Sequence, residues 1–270
     1  DSGLPDQAIE ILVSEETRPN VWREDDSLVM ALRSVNLNPD SNPEDMVAVR
    51  IYADSHKIIT TRRRSLLGLR DIAQGMRQGT GPSTTADMLS QITGNITQQL
   101  VDAIDALEDQ MDALEDEVLT TNHLQHRSKI VALRRQCILL RRYLAPQREA
   151  LARLSMESFS WLGAKQQMRQ RTIADQLFRF VESIDAIKDR AAVIQDELAS
   201  RASDKLNNRM YLLSLMAALF LPLSFILTVF DLQIAGKPLT EHPYGILAML
   251  FMVLVVLTSQ LWLFKRRGWF

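Results

Sequence analysis

Two uncharged apolar runs limit what this chain can be before any other feature is considered. Met210 to Phe230 and Tyr244 to Phe264 are each 21 residues without Asp, Glu, Lys, Arg or His. At about 1.5 Å per residue a helix of that length covers roughly 30 Å, the thickness of a bilayer's hydrocarbon core. A buried helical hairpin in a soluble protein is the alternative. Two such runs in succession with a basic tail after them favour a membrane protein with two spans near its C-terminus. Arg201, Lys205 and Arg209 precede the first run, and Lys265, Arg266 and Arg267 follow the second. Both flanks are therefore expected on the cytoplasmic side, and the loop Asp231–Pro243 on the other.

The overall charge of −2 conceals an asymmetry. Residues 201–270 hold 7 of the 31 basic and 3 of the 33 acidic residues, which leaves 24 basic against 30 acidic in the first 200, a net of −6. That sign disfavours nucleic acid as a partner and favours cations. One cysteine, Cys137, permits no disulfide within the chain and reads as a small buried hydrophobe in a reducing compartment. The first residue is Asp and no signal-peptide pattern follows it, so the start of the natural chain is expected to lie upstream.

Strand signals cluster near the N-terminus. Leu28–Val35, Met46–Ala53 and Lys57–Thr61 are rich in Val, Ile and Met, and turn-forming residues separate them. The expected unit is the remnant of a cytoplasmic α/β domain over residues 1–82. From Ser65 onward strand signals vanish, and a turn at Gly79-Thr-Gly-Pro-Ser opens a helical remainder with Ser83 or Thr84 as N-cap.

Residues 83–163 read as a helical hairpin. Leu100, Ile104, Leu107, Met111, Leu114 and Val118 recur at spacings of 4 and 3. The other faces of that helix carry Asp102, Asp105, Glu108, Asp109, Asp112, Glu115, Asp116 and Glu117. After a turn at Thr121-Asn-His123 comes a basic helix with Arg127, Lys129, Arg134, Arg135, Arg141 and Arg142 beside a second seam of Ile130, Leu133, Cys137 and Leu140; Pro146 is expected to end or bend it. Opposite charge and a short connection predict antiparallel packing. The carboxylates read either as a solvated face paired with the basic helix or, repeated around an oligomer, as rings that sense divalent ions. His123 and His126 form an HxxH pair, two ligands without a third.

A third seam, Ile173, Leu177, Phe180, Ile184, Ile187, Ala191, Ile194 and Leu198, keeps the same alternation. Nothing from Ala164 to Phe230 breaks a helix except Pro222, which a membrane span tolerates. One helix of about 67 residues is predicted: a stalk over 164–209 running into a first span over 210–230. Its seam must pack on other copies or on the preceding hairpin. A loop over 231–243, a second span over 244–264 and a basic tail over 265–270 complete the chain.

Continued through the first span, the period selects Asn207, Met210, Ser214, Ala217, Leu221, Ser224 and Thr228. This stripe alternates polar and apolar side chains and holds nearly all the polar atoms of the span. Two readings fit it: a close helix–helix contact made by small and hydroxyl residues, or a pore wall offering oxygen atoms to hydrated ions. One helical pair cannot enclose a water-filled path, so the pore reading requires a closed homo-oligomer. Phosphate-binding Gly-rich loops, HExxH and cysteine clusters are all missing from the sequence, and no covalent chemistry is expected.

The long stalk helix, two C-terminal spans, short outer loop and basic tail resemble the CorA-type divalent metal ion transporters. Leu140-Arg-Arg-Tyr-Leu-Ala-Pro-Gln-Arg-Glu-Ala-Leu-Ala-Arg-Leu154, Glu16-Thr-Arg-Pro19 and Leu215-Met-Ala-Ala-Leu-Phe-Leu-Pro222 resemble the family's ZntB zinc-transporter branch. The resemblance implies an α-helical membrane protein with an N-terminal α/β cytoplasmic domain, assembled as a funnel-shaped homopentamer in the bacterial inner membrane with both termini cytoplasmic. It further implies that the first span lines the pore, with Asn207, Met210, Ser214, Ala217, Leu221, Ser224 and Thr228 at the matching positions. Zinc would be the transported ion, with no tightly bound cofactor, and magnesium or cobalt the competing cargo. A non-conducting membrane-anchored sensor or scaffold is the reading from another class. Proton coupling is also implied, although neither span contains a carboxylate or His. Where the family has Gly-x-Asn after its first span, this chain has Asp231, Leu232 and Gln233. Asp231 and Gln233 are thereby placed at the pore mouth, and Asp231 and His242 are the candidate metal-contacting residues there.

Overall fold

The computed structural model describes residues 3–15, 18–120, 125–231, 233–234, 237–238 and 244–266. The chain divides into two compact units, Asp1–Glu197 and Leu198–Phe270.

In the first unit a short helix, α1 (Asp6–Val13), precedes an antiparallel meander of β1 (Asn20–Glu24), β2 (Ser27–Ser34), β3 (Val47–Ala53) and β4 (Ile58–Arg62). Glu24 pairs with Ser27 across a two-residue turn in which Asp25 takes a left-handed conformation, φ 53°. Alternation along β2 sends its side chains to two different layers. Val29 and its partner Tyr52 meet Ala8 and Leu12 of α1. The other face holds the fully buried Leu28, Met30 and Leu32, together with Ser34, whose hydroxyl donates to Gln99 Oε1 of the next long helix at 2.9 Å. Burial on both faces explains why β2 reads as an unbroken apolar run.

The three strands expected over 28–61 are present to within a residue or two, whereas α1, β1 and α2 (Leu67–Arg77) were not anticipated. Each is short, and β1 mixes Asn, Arg and Glu with two apolar residues. Gly79 supplies the left-handed residue (φ 75°) that closes α2, with Thr80 N–H donating to the Gly75 carbonyl and Gly79 N–H to that of Met76.

The remainder of the unit is an up-down-up arrangement of α3 (Thr85–Thr120), α4 (Gln125–Met156) and the N-terminal part of α5 (Ala164–Asp231). Thr84 caps α3: its hydroxyl oxygen accepts the Asp87 N–H at 3.1 Å and donates to the Asp87 carboxylate at 2.8 Å. Leu100, Ile104, Leu107, Met111, Leu114 and Val118 are all buried, as are Ile130, Leu133, Cys137 and Leu140 of α4.

Three expectations change or narrow here. Pro146 does not end α4, which continues to Met156, because Leu144, Ala150, Leu151 and Leu154 bury a continuous helical face on either side of it. Of the two partners expected for the third seam, the chain's own hairpin covers Ile173, Leu177, Ile184, Ile187 and Ala191, which are buried, while Phe180, Ile194 and Leu198 stay half-buried. The acidic helix pairs with two partners rather than one. Glu117 reaches Lys129 of α4 at 2.8 Å, while Asp112 and Glu115 converge at 2.6 Å on Arg190 of α5.

The second unit comprises the rest of α5, the two-residue strands β5 (Gln233–Ile234) and β6 (Lys237–Pro238), and α6 (Gly245–Arg266). Gln233 pairs with Pro238 and Ile234 with Lys237, a small hairpin absent from the sequence-based expectation. Helix α5 runs 68 residues with Pro222 inside it, and contains a stretch long and apolar enough to cross a membrane. Only 6 % of that stretch is buried within the chain, unlike the core helix of a soluble protein.

Candidate functional site

Burial along the second part of α5 sorts its residues by direction. Leu215, Ala218, Leu219, Pro222 and Leu223 are half-buried and Ile226 is buried. On α6 the corresponding covered positions are Val253, Val256, Leu257, Gln260 and Phe264, again at helical spacing. The two sets face each other, and Gln260 Nε2–H donates to the Ala218 carbonyl at 3.1 Å.

Asn207, Met210, Ser214, Ala217, Leu221, Ser224 and Thr228 are all exposed, Met210 at 61 % and Leu221 at 70 %. At about 100° per residue their mean direction lies roughly 140° from that of the α6-facing set. The contact between the helices of one chain is therefore made by a different face. The stripe is a surface that this chain leaves uncovered.

Its chemistry suits cations. Thr228 Oγ1–H donates back to the Ser224 carbonyl at 2.8 Å. A hydroxyl whose hydrogen is used within its own helix turns only lone pairs outward, which makes it an acceptor for a metal ion or for the water around one. Met210 and Leu221 interrupt the polar positions with apolar side chains, the pattern of a constriction that wets only when wide.

The remaining candidate residues fare differently. Asp231 is the last residue of α5 and Gln233 the first of β5, so both stand beside the end of the stripe in sequence; their side chains, and all of His242, lie outside the described residues. His123 lies outside them as well. His126 is buried, with Nδ1 3.1 Å from Glu117, and so does not present a free ligand pair with its neighbour. Among the described residues no three His, Cys, Asp or Glu side chains converge as a metal site.

A cavity of about 460 Å³ in the first unit is lined in part by Arg33, Arg50, Arg63 and Arg64. Burial, and then repulsion from Arg33 and Arg63, hold the Arg50 guanidinium below its ordinary pKa. Glu15, Glu44 and Asp45 line the same cavity, and Glu15 pairs with Arg63 at 2.9 Å, so the lining carries both signs of charge. Sequence reasoning missed Gln260. The only signal it gave was an amide among Leu, Val and Trp in the second apolar run.

The sequence profile described as CorA-like Mg2+ transporter protein matches residues 1–266. The chain belongs to the CorA family. It is 34% identical over 266 residues to the zinc transport protein ZntB of Pectobacterium carotovorum subsp. carotovorum, which covers 98% of this chain and 81% of that relative. The ZntB of an Enterobacter species is 35% identical over the same shares. Among solved structures, full-length CmaX superposes with a TM-score of 0.85 at 32% identity, covering 98% of this chain and 82% of that one. The CorA magnesium transporter of Methanocaldococcus jannaschii superposes with a TM-score of 0.83 over 99% of this chain and 85% of that one, at 17% identity. The last is a likeness of fold alone. Membership accounts for the α/β unit, the three-helix arrangement and the 68-residue helix of this CorA-family chain together.

Proposed function

We propose that this CorA-family chain carries divalent metal cations, zinc first, across the bacterial inner membrane through a pore lined by α5. The carrying observation is the exposed stripe Asn207–Thr228, which α6 leaves uncovered on the far side of the helix. A row of oxygen atoms interrupted by Met210 and Leu221 is useful only if water meets it. In a closed ring of copies, a funnel-shaped homopentamer, the stripes converge on one axis while the apolar side chains of α6 meet lipid. The oxygen donors replace part of an ion's hydration shell without binding it so tightly that it cannot leave.

Both basic flanks support a cytoplasmic position for the two ends, with Asp231 and Gln233 at the outer mouth. There a ring of Asp231 carboxylates, with His242 as a second metal-contacting residue, concentrates divalent cations, and the Gln233 amide discriminates among them. The names of the ZntB relatives favour zinc, and the family's description favours magnesium. Zinc flux into liposomes containing the purified chain tests the reading. Saturable uptake that resists magnesium excess supports a zinc pathway. Uptake abolished by equimolar magnesium favours magnesium as cargo, and no flux of either ion leaves a membrane-anchored scaffold. Running the assay with and without an imposed pH gradient tests proton coupling.

A further inference from the structure

Pro222 is the only residue of α5 between Ala164 and Asp231 that lacks a backbone N–H. In an α-helix the N–H of residue 222 would bond the carbonyl of residue 218, and a proline ring at 222 also crowds that same carbonyl. Ala218 is therefore the one position where the break leaves an acceptor without its helical partner. In a bilayer no water replaces the missing donor. It is this carbonyl, and no other on α5, that Gln260 of α6 bonds through Nε2 at 3.1 Å. The amide is half-buried between the helices, and its Oε1 is buried with no hydrogen-bond partner among the described residues. The side chain is held by this one bond. Ala218, Pro222 and Gln260 all lie in the same compact unit.

We infer that Gln260 is a positioning residue for the pore wall: it supplies from α6 the hydrogen bond that Pro222 removes from α5, and so fixes the direction of α5 at its single break. The position of that break gives the latch its consequence. Leu221 immediately precedes Pro222, and Ser224 and Thr228 follow it. Four stripe positions stand on one side of the break and two on the other, with Leu221 beside it. A rotation at Pro222 therefore misaligns the hydroxyl-bearing end of the stripe from the Asn207 end. With Gln260 in place the two segments keep one register. This role rests on the proposed pore, whereas the hydrogen bond itself does not.

A double-mutant cycle on the full chain in lipid nanodiscs separates the two. Gln260→Leu keeps the volume and removes the donor, and Pro222→Ala restores the helical N–H to Ala218. Gln260→Leu is expected to raise the unfolding equilibrium constant of the second unit about fivefold when Pro222 is present. In the Pro222→Ala background the same substitution is expected to cost nothing or to stabilise. An equal effect in both backgrounds, or none in either, overturns the latch. Zinc uptake in liposomes then reads the positioning role. Gln260→Leu should lower the maximal rate with little change in apparent affinity, and Pro222→Ala should remove that sensitivity. A rate unaffected by Gln260→Leu overturns the positioning role even if the unfolding cycle shows coupling. If the parent itself moves no zinc or magnesium, the pore reading fails and the unfolding cycle alone decides the hydrogen bond.

Discussion

Single residues carry the sharpest expectations. Cys137 is fully buried on α4, and burial pushes its thiol up to about 11 from an ordinary 9.0. Two pKa units correspond to roughly a hundredfold less thiolate at neutral pH. Maleimide labelling of the native chain should accordingly be slow and should rise sharply with denaturant; rapid native labelling would contradict the buried placement. At the proposed mouth, Asp231→Asn removes the carboxylate ring. Apparent zinc affinity should weaken and the pH dependence of uptake should flatten, as measured in liposomes across an external pH series. Gln233→Ala should instead loosen selection among divalent ions in a competition assay. If Asp231→Asn transports like the parent at every pH, the loop is only a connector.

At the scale of elements, the association of α3, α4 and α5 rests on apolar seams, and charge pairs refine it. Ile184 is completely buried beneath the hairpin. Ile184→Ala should cost about 2–5 kcal/mol of first-unit stability through lost contacts and the residual cavity. Ile184→Asp should unfold the unit outright by burying a charge, rather than merely dissociate copies. Denaturant titration followed by circular dichroism distinguishes the two outcomes. Arg190 bridges Asp112 and Glu115 but remains 39 % exposed at its side chain. Solvent screening limits that bridge, so Arg190→Ala should cost about 1 kcal/mol or less, with a cost that shrinks as salt is raised.

For the whole molecule, pH acts through carboxylates that fasten one element to another. Asp185 on α5 accepts from Arg141 of α4 and from Lys188. Burial, which alone would raise its pKa, is outweighed by those bonds, and the group sits below its ordinary 3.8. Asp87 is lowered by its bonds from Gln166 and Thr84, which join the start of α3 to the start of α5. A depressed folded-state pKa gives stability that is complete above the unfolded value and is lost as pH falls through the folded one. Thermal midpoints of the chain should thus be level from neutrality down to about pH 4.5 and fall below it. Aspartate-to-asparagine changes at 87 and 185 should reduce that slope. Assembly is a separate property: sedimentation in detergent should give a pentamer, and monomers alone would remove the pore.

The sequence determined the parts whose cause is local and repeated. Two uncharged runs, three seams at spacings of 3 and 4, and the stripe through Thr228 follow from a 3.6-residue period. The tertiary structure finds the last two as faces of helices, the seams buried except for the half-buried Phe180, Ile194 and Leu198, and the stripe exposed. Strands β2 to β4 were readable because β2 is a short apolar run, β3 and β4 are rich in β-branched residues, and turns bound all three. What the period could not supply was the identity of the neighbour. Whether the α5 seam meets the chain's own hairpin or another copy depends on distances across the fold, as does the choice of Arg190 by Asp112 and Glu115. The same holds for Gln260. Sequence shows an amide in one apolar run and a proline in another, 38 residues apart. Only the packing of α6 on α5 brings its donor to the one carbonyl that proline left without a helical partner.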